Sequence, residues 1–577
     1  MSDDRMVEVP ERRFAPWLME PMRRNRPIFL KVALAAVVIN IFALVTSLFT
    51  MVVYDRVVPN NATASLIALS IGLVIVIIFD FALKMLRAYF VDVAGARIDR
   101  EVGDSVFAKL LSIRLDQKRG STGALAGVIR ELETLRDFFA SATITAIVDV
   151  PFLVITLAVI AIIGGPVVFV PLFLIPLVIV AGLVTQPAMD RLSAKAMGEG
   201  LLKQSVLVET IGGLETVKSS GAAPIVTRRW HAAMEDHSAT SLHQRLVSNV
   251  SITTAGTAQM LAYAGVVVVG VERIASQNLT MGGLIACSIL AGRAVAPLGQ
   301  IANLLSRMTA TRTAYRQLNG LMRSRSEGPE GDPLVITRTE GRIEFRNVHF
   351  RYPGATEKAL EGVSFAIEPG EHVALIGRVG SGKSTIARLL LGLYEPEEGV
   401  IMLDGTDIRQ LDPIDLRRRI GNAMQESMLL SGTVRENIVL GRAGIDDEEM
   451  VRAAELSGTH QFIGQIANGY DRRLADRGEG LSGGQRQSIA IARALVGRPP
   501  VVLFDEPSSA MDQQTEGALL DRLTTELEGR TFVVITHRTP FLRLVSRVII
   551  IERGKVIADG PRDQILQKLN RPKVAAI

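Results

Sequence analysis

Apolar residues along this chain are gathered into long runs, and the runs stop abruptly near Arg323. An uncharged stretch of about 20 residues is long enough for a helix to cross a bilayer. Phe29 to Val53 carries one charge, Lys31. Ala64 to Phe79 is uncharged, and the run continues to Phe90 past Asp80, Lys84 and Arg87. Val150 to Met189 is 40 residues without a charge, enough for two passes, with Gly164-Gly165-Pro166 where a tight hairpin is needed. Leu246 to Val271 adds 26 uncharged residues, and Ile274 to Ser306 holds only Arg293. The pattern predicts six membrane-spanning helices within residues 29–322, after a leader of residues 1–28. A cleaved signal peptide does not fit the first run, whose apolar core is too long and lacks a clean small-residue cleavage pattern.

The connections alternate in charge. Those after the first and fifth runs carry Arg56 and Arg273 as their only basic residues, and the Gly-Gly-Pro hairpin carries none. The leader holds Arg5, Arg12, Arg13, Arg23, Arg24 and Arg26; Arg87 to Arg136 holds nine Lys or Arg, and Arg191 to Arg245 holds seven. Basic residues collect on the cytoplasmic side, so both termini are expected there. The two long connections are too polar for lipid yet keep helical spacing. They are expected to be helix extensions projecting into the cytoplasm, reversing near Gly120 and between Gly221 and Pro224.

A different pattern begins at a polar Gly/Pro-rich linker, residues 323–340. From Gly341 to the end, short β-branched strands alternate with helices, which predicts a soluble α/β domain over 341–577. Composition agrees with such a mixed chain: 577 residues, 48% hydrophobic, 21% charged, mean hydropathy +0.28. Cys287 is the only cysteine, which excludes a disulfide scaffold, thiolate zinc sites and a two-cysteine redox centre. The net charge of +5 is read as cytoplasmic loops rather than nucleic-acid binding. His231, His237 and His243 are six apart and do not share a helix face, so no metal site is expected from them.

The soluble half carries the chemistry. Strand-like His372 to Ile376 runs into Gly377-Arg378-Val379-Gly380-Ser381-Gly382-Lys383-Ser384, followed by a helical segment from Thr385. This is a phosphate-binding loop between strand and helix. Its glycines let successive N–H groups face phosphate oxygens, helped by the helix N-terminus. Lys383 would bridge β- and γ-phosphates and Ser384 would ligate Mg²⁺. Val501 to Phe504 is an apolar strand ending in Asp505 and Glu506; Asp505 can hold Mg²⁺ through water and Glu506 can polarise the attacking water. A further strand from Thr531 ends at His537, where a γ-phosphate sensor would sit. Leu481-Ser482-Gly483-Gly484-Gln485, before another helix, makes a second anion-binding end. A chain that already owns one phosphate loop needs a second only if that end caps the nucleotide held by another copy.

Here the sequence resembles the ATP-binding-cassette superfamily, over essentially the whole chain. The resemblance implies a P-loop domain with a RecA-like core and a helical subdomain, and an α-helical six-span transmembrane exporter domain. It further implies that two cassettes sandwich two ATP molecules, so that one chain is half of an exporter and works as a homodimer. Tyr352 looks like the adenine-stacking aromatic. Gln425 resembles the glutamine that contacts Mg²⁺, and Ser509-Ala510-Met511-Asp512 matches the loop that crosses the dimer interface. Asp476 to Gly480 resembles the segment by which exporters touch their membrane helices.

Phe49-Thr-Met-Val-Val-Tyr-Asp-Arg-Val-Val-Pro-Asn60, with Arg130 to Ala140 and Glu209 to Lys218, resembles the bacterial type I secretion transporters of the haemolysin and RTX-adhesin exporters. That likeness implies export of unfolded polypeptides with C-terminal signals across the inner membrane, with a periplasmic adaptor and an outer-membrane channel; the alternative on the same scaffold is a lipid, glycolipid or drug exporter. Many members carry an N-terminal peptidase or peptidase-like domain. With 28 residues before the first span and no cysteine among them, leader cleavage is not expected. Asp80 and Lys84, one turn apart, are expected to pair. Arg293, midway through the sixth run, is the candidate for a residue on the translocation path.

Overall fold

The computed structural model describes residues 14–117, 122–138, 143–329 and 331–570. Of these, the residues within Met1–Ser112 and Arg119–Ser324 form one compact unit, and those within Ile113–Lys118 and Arg325–Ile577 form another.

Every regular element among the described residues of the first unit is a helix. Its helices are α1 (Pro16–Arg24), α2 (Arg26–Val52), α3 (Thr63–Ser112), α4 (Thr122–Asp137), α5 (Thr143–Gly164), α6 (Phe169–Gly212), α7 (Leu214–Ser219), α8 (Ala223–Ala275) and α9 (Met281–Met322). The predicted apolar runs lie on α2, α3, α5, α6, α8 and α9. Among the described residues four stretches are long and apolar enough to cross a membrane: Arg26–Val57, Thr63–Ser112, Pro151–Gly212, which takes in most of α5 and all of α6, and Ala223–Ala275; Met281–Ala296 is a shorter apolar one. α3 and α8 contain 50 and 53 residues. At 1.5 Å per residue each is about 75 Å or longer, more than twice a bilayer's hydrocarbon thickness, so much of each must continue outside it. Of the two expected reversals, the residues around Gly120 lie outside the described residues, whereas Gly221 takes φ +66° in the turn between α7 and α8.

Sequence-distant polar contacts fix the helix ends. The α5–α6 hairpin turns at Gly165 with φ +57°, and a Cβ on Gly164 would stand 2.9 Å from Cys287 Sγ. One boundary differs from expectation: α8 continues through Ala275, and the chain reverses over Ser276–Thr280 rather than before Ile274. Gln277 adopts φ +55° there, and Thr280 caps α9 by accepting from Gly283 N. Asp55 completes that cap, its carboxylate accepting from Gly282 N at 2.8 Å and from the Thr280 hydroxyl at 2.6 Å. A Cβ on Gly282 would lie 2.4 Å from Met51 O, so the Phe49–Asn60 string is packed directly against the start of α9. Asp80 and Lys84 pair at 2.6 Å, and Arg293 donates to the Ala43 carbonyl of α2. At its beginning the unit is closed by α1, where Ala15 N donates to Tyr315 OH and Trp17 Nε1 to Asn319 on α9.

The second unit is built on two sheets. β1 (Ile343–Phe350), β2 (Leu360–Ile367), β4 (Glu398–Leu403) and β5 (Thr406–Asp407) form an antiparallel sheet in the order β2-β1-β4-β5. A six-stranded sheet has the order β12-β11-β3-β10-β9-β6. Its members are β3 (His372–Ile376), β6 (Ile420–Ala423), β9 (Val501–Asp505), β10 (Thr531–Ile535), β11 (Arg547–Glu552) and β12 (Lys555–Pro561). All but β12 run parallel, and every residue of β9 and β10 is buried, as strands covered on both faces must be. β7 (Gly432–Thr433) pairs with β8 (Arg473–Leu474). Helices α10 (Lys383–Leu390) and α11 (Pro413–Arg419) belong to the sheet region. A helical region follows with α12 (Val434–Ile438), α13 (Asp447–Ser457), α14 (Thr459–Ile463) and α15 (Gly483–Leu495), and then α16 (Gln513–Glu526) and α17 (Arg562–Asn570). The short segment beginning at Ile113 also joins this unit: Ile113 bridges Ser326, and Arg114 pairs with Asp116 and Glu395 at 2.6 and 2.5 Å.

Candidate functional site

Three parallel strands end side by side, and each delivers predicted site residues. β3 leads into the loop from Gly377, β9 ends on Asp505, and β10 leads through Thr536 to His537. Ligands of open parallel sheets gather at these strand ends.

The glycines of the loop are demanded by space. A Cβ on Gly377 would come within 2.0 Å of Ile551 O, and one on Gly382 within 2.6 Å of Ala359 O. Gly380 and Gly382 take φ +78° and +102°, which Gly alone adopts at little cost. Lys383 opens α10 and folds back over the loop, its ammonium donating to Gly377 O and Arg378 O at 2.8 and 2.9 Å. Burial holds that ammonium below the ordinary lysine range, against the opposing pull of Glu506 and Asp505. Val379, between the loop glycines, is fully exposed. Tyr352 stands beside the same helix: its hydroxyl lies 3.1 Å from Thr385 Oγ1 and accepts from Arg388 at 2.8 Å, and its ring packs edge-on against Phe350 and Tyr394.

Asp505 is 1% exposed, and its Oδ1 has no hydrogen-bond partner. Burial raises its carboxyl above the ordinary aspartate range; a hydrogen bond from Ser384 works against that rise, and nearby Glu506 adds to it. Glu506 follows in the left-handed region at φ +51°, with its N–H donating to Ile535 O. One of its carboxylate oxygens lies 2.7 Å from His537 Nδ1, and the other is buried without a partner. A cradle that a Cβ would fill, beside two orphaned carboxylate oxygens and a serine hydroxyl, is a donor set suited to phosphate and a hard cation.

This geometry carries a stability prediction. A carboxyl with a folded-state pKa above its unfolded value subtracts stability once pH rises past the unfolded value, because the unfolded chain releases the proton first. Asp505→Asn is therefore expected to raise Tm by roughly 2 °C or more at pH 7–8 without nucleotide. The difference should shrink as pH falls through the ordinary aspartate range. A melting series that shows Asp505→Asn equal to or below the parent at every pH would contradict the cost of the buried carboxylate and its unpartnered Oδ1.

The Leu481–Gln485 string closes on its own helix. Ser482 caps α15, its hydroxyl accepting from Gln485 N at 3.2 Å while the Gln485 side chain accepts from Ser482 N at 2.9 Å, a reciprocal capping box. Cβ atoms on Gly483 and Gly484 would meet Ala510 at 3.1 and 3.0 Å, so these glycines let the 508–511 turn lie directly on the helix end. Leu481 is buried beneath it. Asp512 is a helix cap as well, accepting from Thr515 N on α16, and that hydrogen bond holds its carboxyl below the ordinary range. Gln425 is exposed two residues past the end of β6, the strand beside β9. Arg293 belongs to the other unit.

Three residues of this constellation escape the motif strings. Gln487, 8% exposed, donates to Glu506 O and Ser509 Oγ and accepts from Ala510 N. Glu516 receives the Ser508 hydroxyl and, at 3.4 Å, Arg538, whose other amine reaches Ser509 O. The only trace of Gln487 and Glu516 in the sequence is a polar residue on an otherwise buried helix face, and Arg538 lies in the loop that follows β10.

Comparison with known proteins covers both units. Residues 360–509 match the family described as ABC transporter, and residues 29–298 match the ABC transporter transmembrane region. Over 551 residues the chain is 34% identical to the cyclolysin secretion/processing ATP-binding protein of Bordetella pertussis, covering 95% of this chain and 77% of that one. Over 555 residues it is 32% identical to the leukotoxin translocation ATP-binding protein of Mannheimia haemolytica, covering 96% and 78%. A bacterial Atm1-family ABC exporter with ATP bound shares the fold, with a TM-score of 0.84 at 24% identity over 95% of this chain and 97% of that one.

Proposed function

The chain belongs to the ABC transporter family, and from that premise we propose that two copies form an ATP-driven exporter of polypeptides in a type I secretion system. The observation that carries this reading is the extent of the likeness. Identity above 30% runs through nearly the whole chain, membrane unit included, to proteins named for secreting or translocating toxins. The site supports the ATPase part of the reading. Gly377 to Thr385 wraps the phosphates, Lys383 turns from the loop carbonyls to the β- and γ-phosphates, and Tyr352 lies against the base. Glu506 takes the proton of the attacking water, with His537 orienting its carboxylate. A Mg²⁺ ion held by Ser384, Asp505 and Gln425 would supply charge neutralisation at the phosphates. Leu481 to Gln485 of one copy close the pocket of the other, and Asp512 lies at that junction.

The multi-pass chain sits in the bacterial inner membrane with both termini cytoplasmic. Its substrate is a polypeptide with a C-terminal signal, handed to a periplasmic adaptor and an outer-membrane channel, and Arg293 faces the translocation path. Disruption of the gene, followed by analysis of the culture medium, tests this. Loss of one or a few large secreted proteins, restored by the intact gene, is expected. An unchanged set of secreted proteins with altered lipid or drug handling would overturn polypeptide export.

A further inference from the structure

Gln487 ties together two parts of one chain that, in a paired assembly, attend to different nucleotides. Ser482 caps the start of α15, and Gln487 lies just over one turn further on, buried against the strand end. Both N–H bonds of its amide are used, toward Glu506 O at 2.9 Å and Ser509 Oγ at 3.0 Å, and its oxygen accepts from Ala510 N at 3.1 Å. The Glu506 peptide that it holds has φ +51°, a conformation that persists only when surrounding contacts impose it. On the opposite side Arg538 and Glu516 hold the 508–509 segment to α16 and to the end of β10. The approach of Gly483 and Gly484 to Ala510 leaves no slack between the helix end and this turn. A small displacement of the α15 N-terminus is therefore delivered first to the Glu506 carbonyl, and it re-aims the carboxylate one side chain away.

We propose that Gln487 is a positioning residue that couples the two ATP sites of the dimer. Nucleotide engaged by Ser482 in one pocket moves α15, and Gln487 passes that movement to Glu506, which serves the other pocket. This rests on the paired-pocket reading above. Coupling of this kind appears as cooperativity between sites, which a residue that merely supports the fold does not control.

The test is ATP hydrolysis by the full-length dimer in lipid nanodiscs, measured against ATP concentration, for the parent, Gln487→Ala and Gln487→Glu. The Glu variant keeps an acceptor for Ala510 N but loses both donations and sets a carboxylate against Glu506 O. Both variants are expected to bind ATP within about threefold of the parent, to lose about tenfold in kcat, and to show a Hill coefficient falling to about 1. Ser509→Ala, which removes one acceptor and leaves the rest, is expected to lower the coefficient partway and guards against a Gln487 variant that does not fold. A folded Gln487→Ala dimer that loses kcat but keeps the parent's Hill coefficient would overturn coupling while leaving the paired pockets intact. A parent that is non-cooperative and fully active as a monomer would instead sink the paired-pocket reading, and this proposal with it.

Discussion

Glu506→Gln is expected to lower ATP hydrolysis by at least about 100-fold while ATP binding stays within a few-fold of the parent, because general-base assistance is worth roughly 10²–10⁴. The replacement is close to isosteric. Its side-chain oxygen can still accept from His537 Nδ1, and its backbone keeps the bonds to Ile535 O and Gln487. What disappears is the negative charge and the ability to take a proton. Two carboxylates stand together here, Asp505 with Oδ1 unpartnered and Glu506 with Oε2 unpartnered. Removing one charge relieves their mutual repulsion, which favours retention of a triphosphate and accumulation of a closed dimer. Size-exclusion chromatography with ATP, beside a phosphate-release assay, reads both effects. Hydrolysis at the parent rate would remove Glu506 from its assigned role.

Lys383→Ala and Ser482→Arg are each expected to lower hydrolysis at least about 100-fold, for different reasons. Lys383 is the loop's only ammonium, and its two acceptors, Gly377 O and Arg378 O, belong to the cradle itself. Charge-assisted contacts in a partly dry site are the strong ones, so a neutral methyl cannot replace it. The fold should survive, since Ala is favourable at a helix start and leaves the loop glycines in place. Ser482 is exposed, and its loss costs the α15 cap about 1 kcal/mol, which a helix buried along Gln487–Leu495 tolerates. Arg at that position covers the N–H groups at the helix end and blocks the approach of a second copy. Melting temperatures within a few degrees of the parent, with hydrolysis lost, are the expected pattern for both.

The separate motifs are legible because each is continuous in sequence. Glycines, lysine and serine stand within one loop between a strand and a helix, and Asp505 and Glu506 end an apolar run, so local chemistry announces them. The membrane helices are legible for the same reason, since hydrocarbon demands an unbroken apolar length. What binds the motifs together is not local. Gln487 reaches partners 19, 22 and 23 residues away, and Asp55 reaches 225 and 227 residues to the start of α9. No spacing rule encodes such contacts; they arise when the parallel sheet and the helix ends come together. The α8–α9 reversal shows the opposite limit. Asn278 donates to the Ser276 hydroxyl, which donates to Arg273 O, in a turn that charge counting, fixed on Arg273, places a few residues too early.

Ser482 and Lys383 lie in one chain, yet a pocket shared between copies requires the serine end of one and the lysine loop of the other. The most direct measurement is hydrolysis by purified mixed dimers that carry Lys383→Ala in one copy and Ser482→Arg in the other, beside the two inactive homodimers. A mixed dimer retains one pocket with both parts intact, so activity should return to as much as about half of the parent. Mixed dimers as silent as either homodimer, or monomers that hydrolyse ATP at the parent rate, would contradict it.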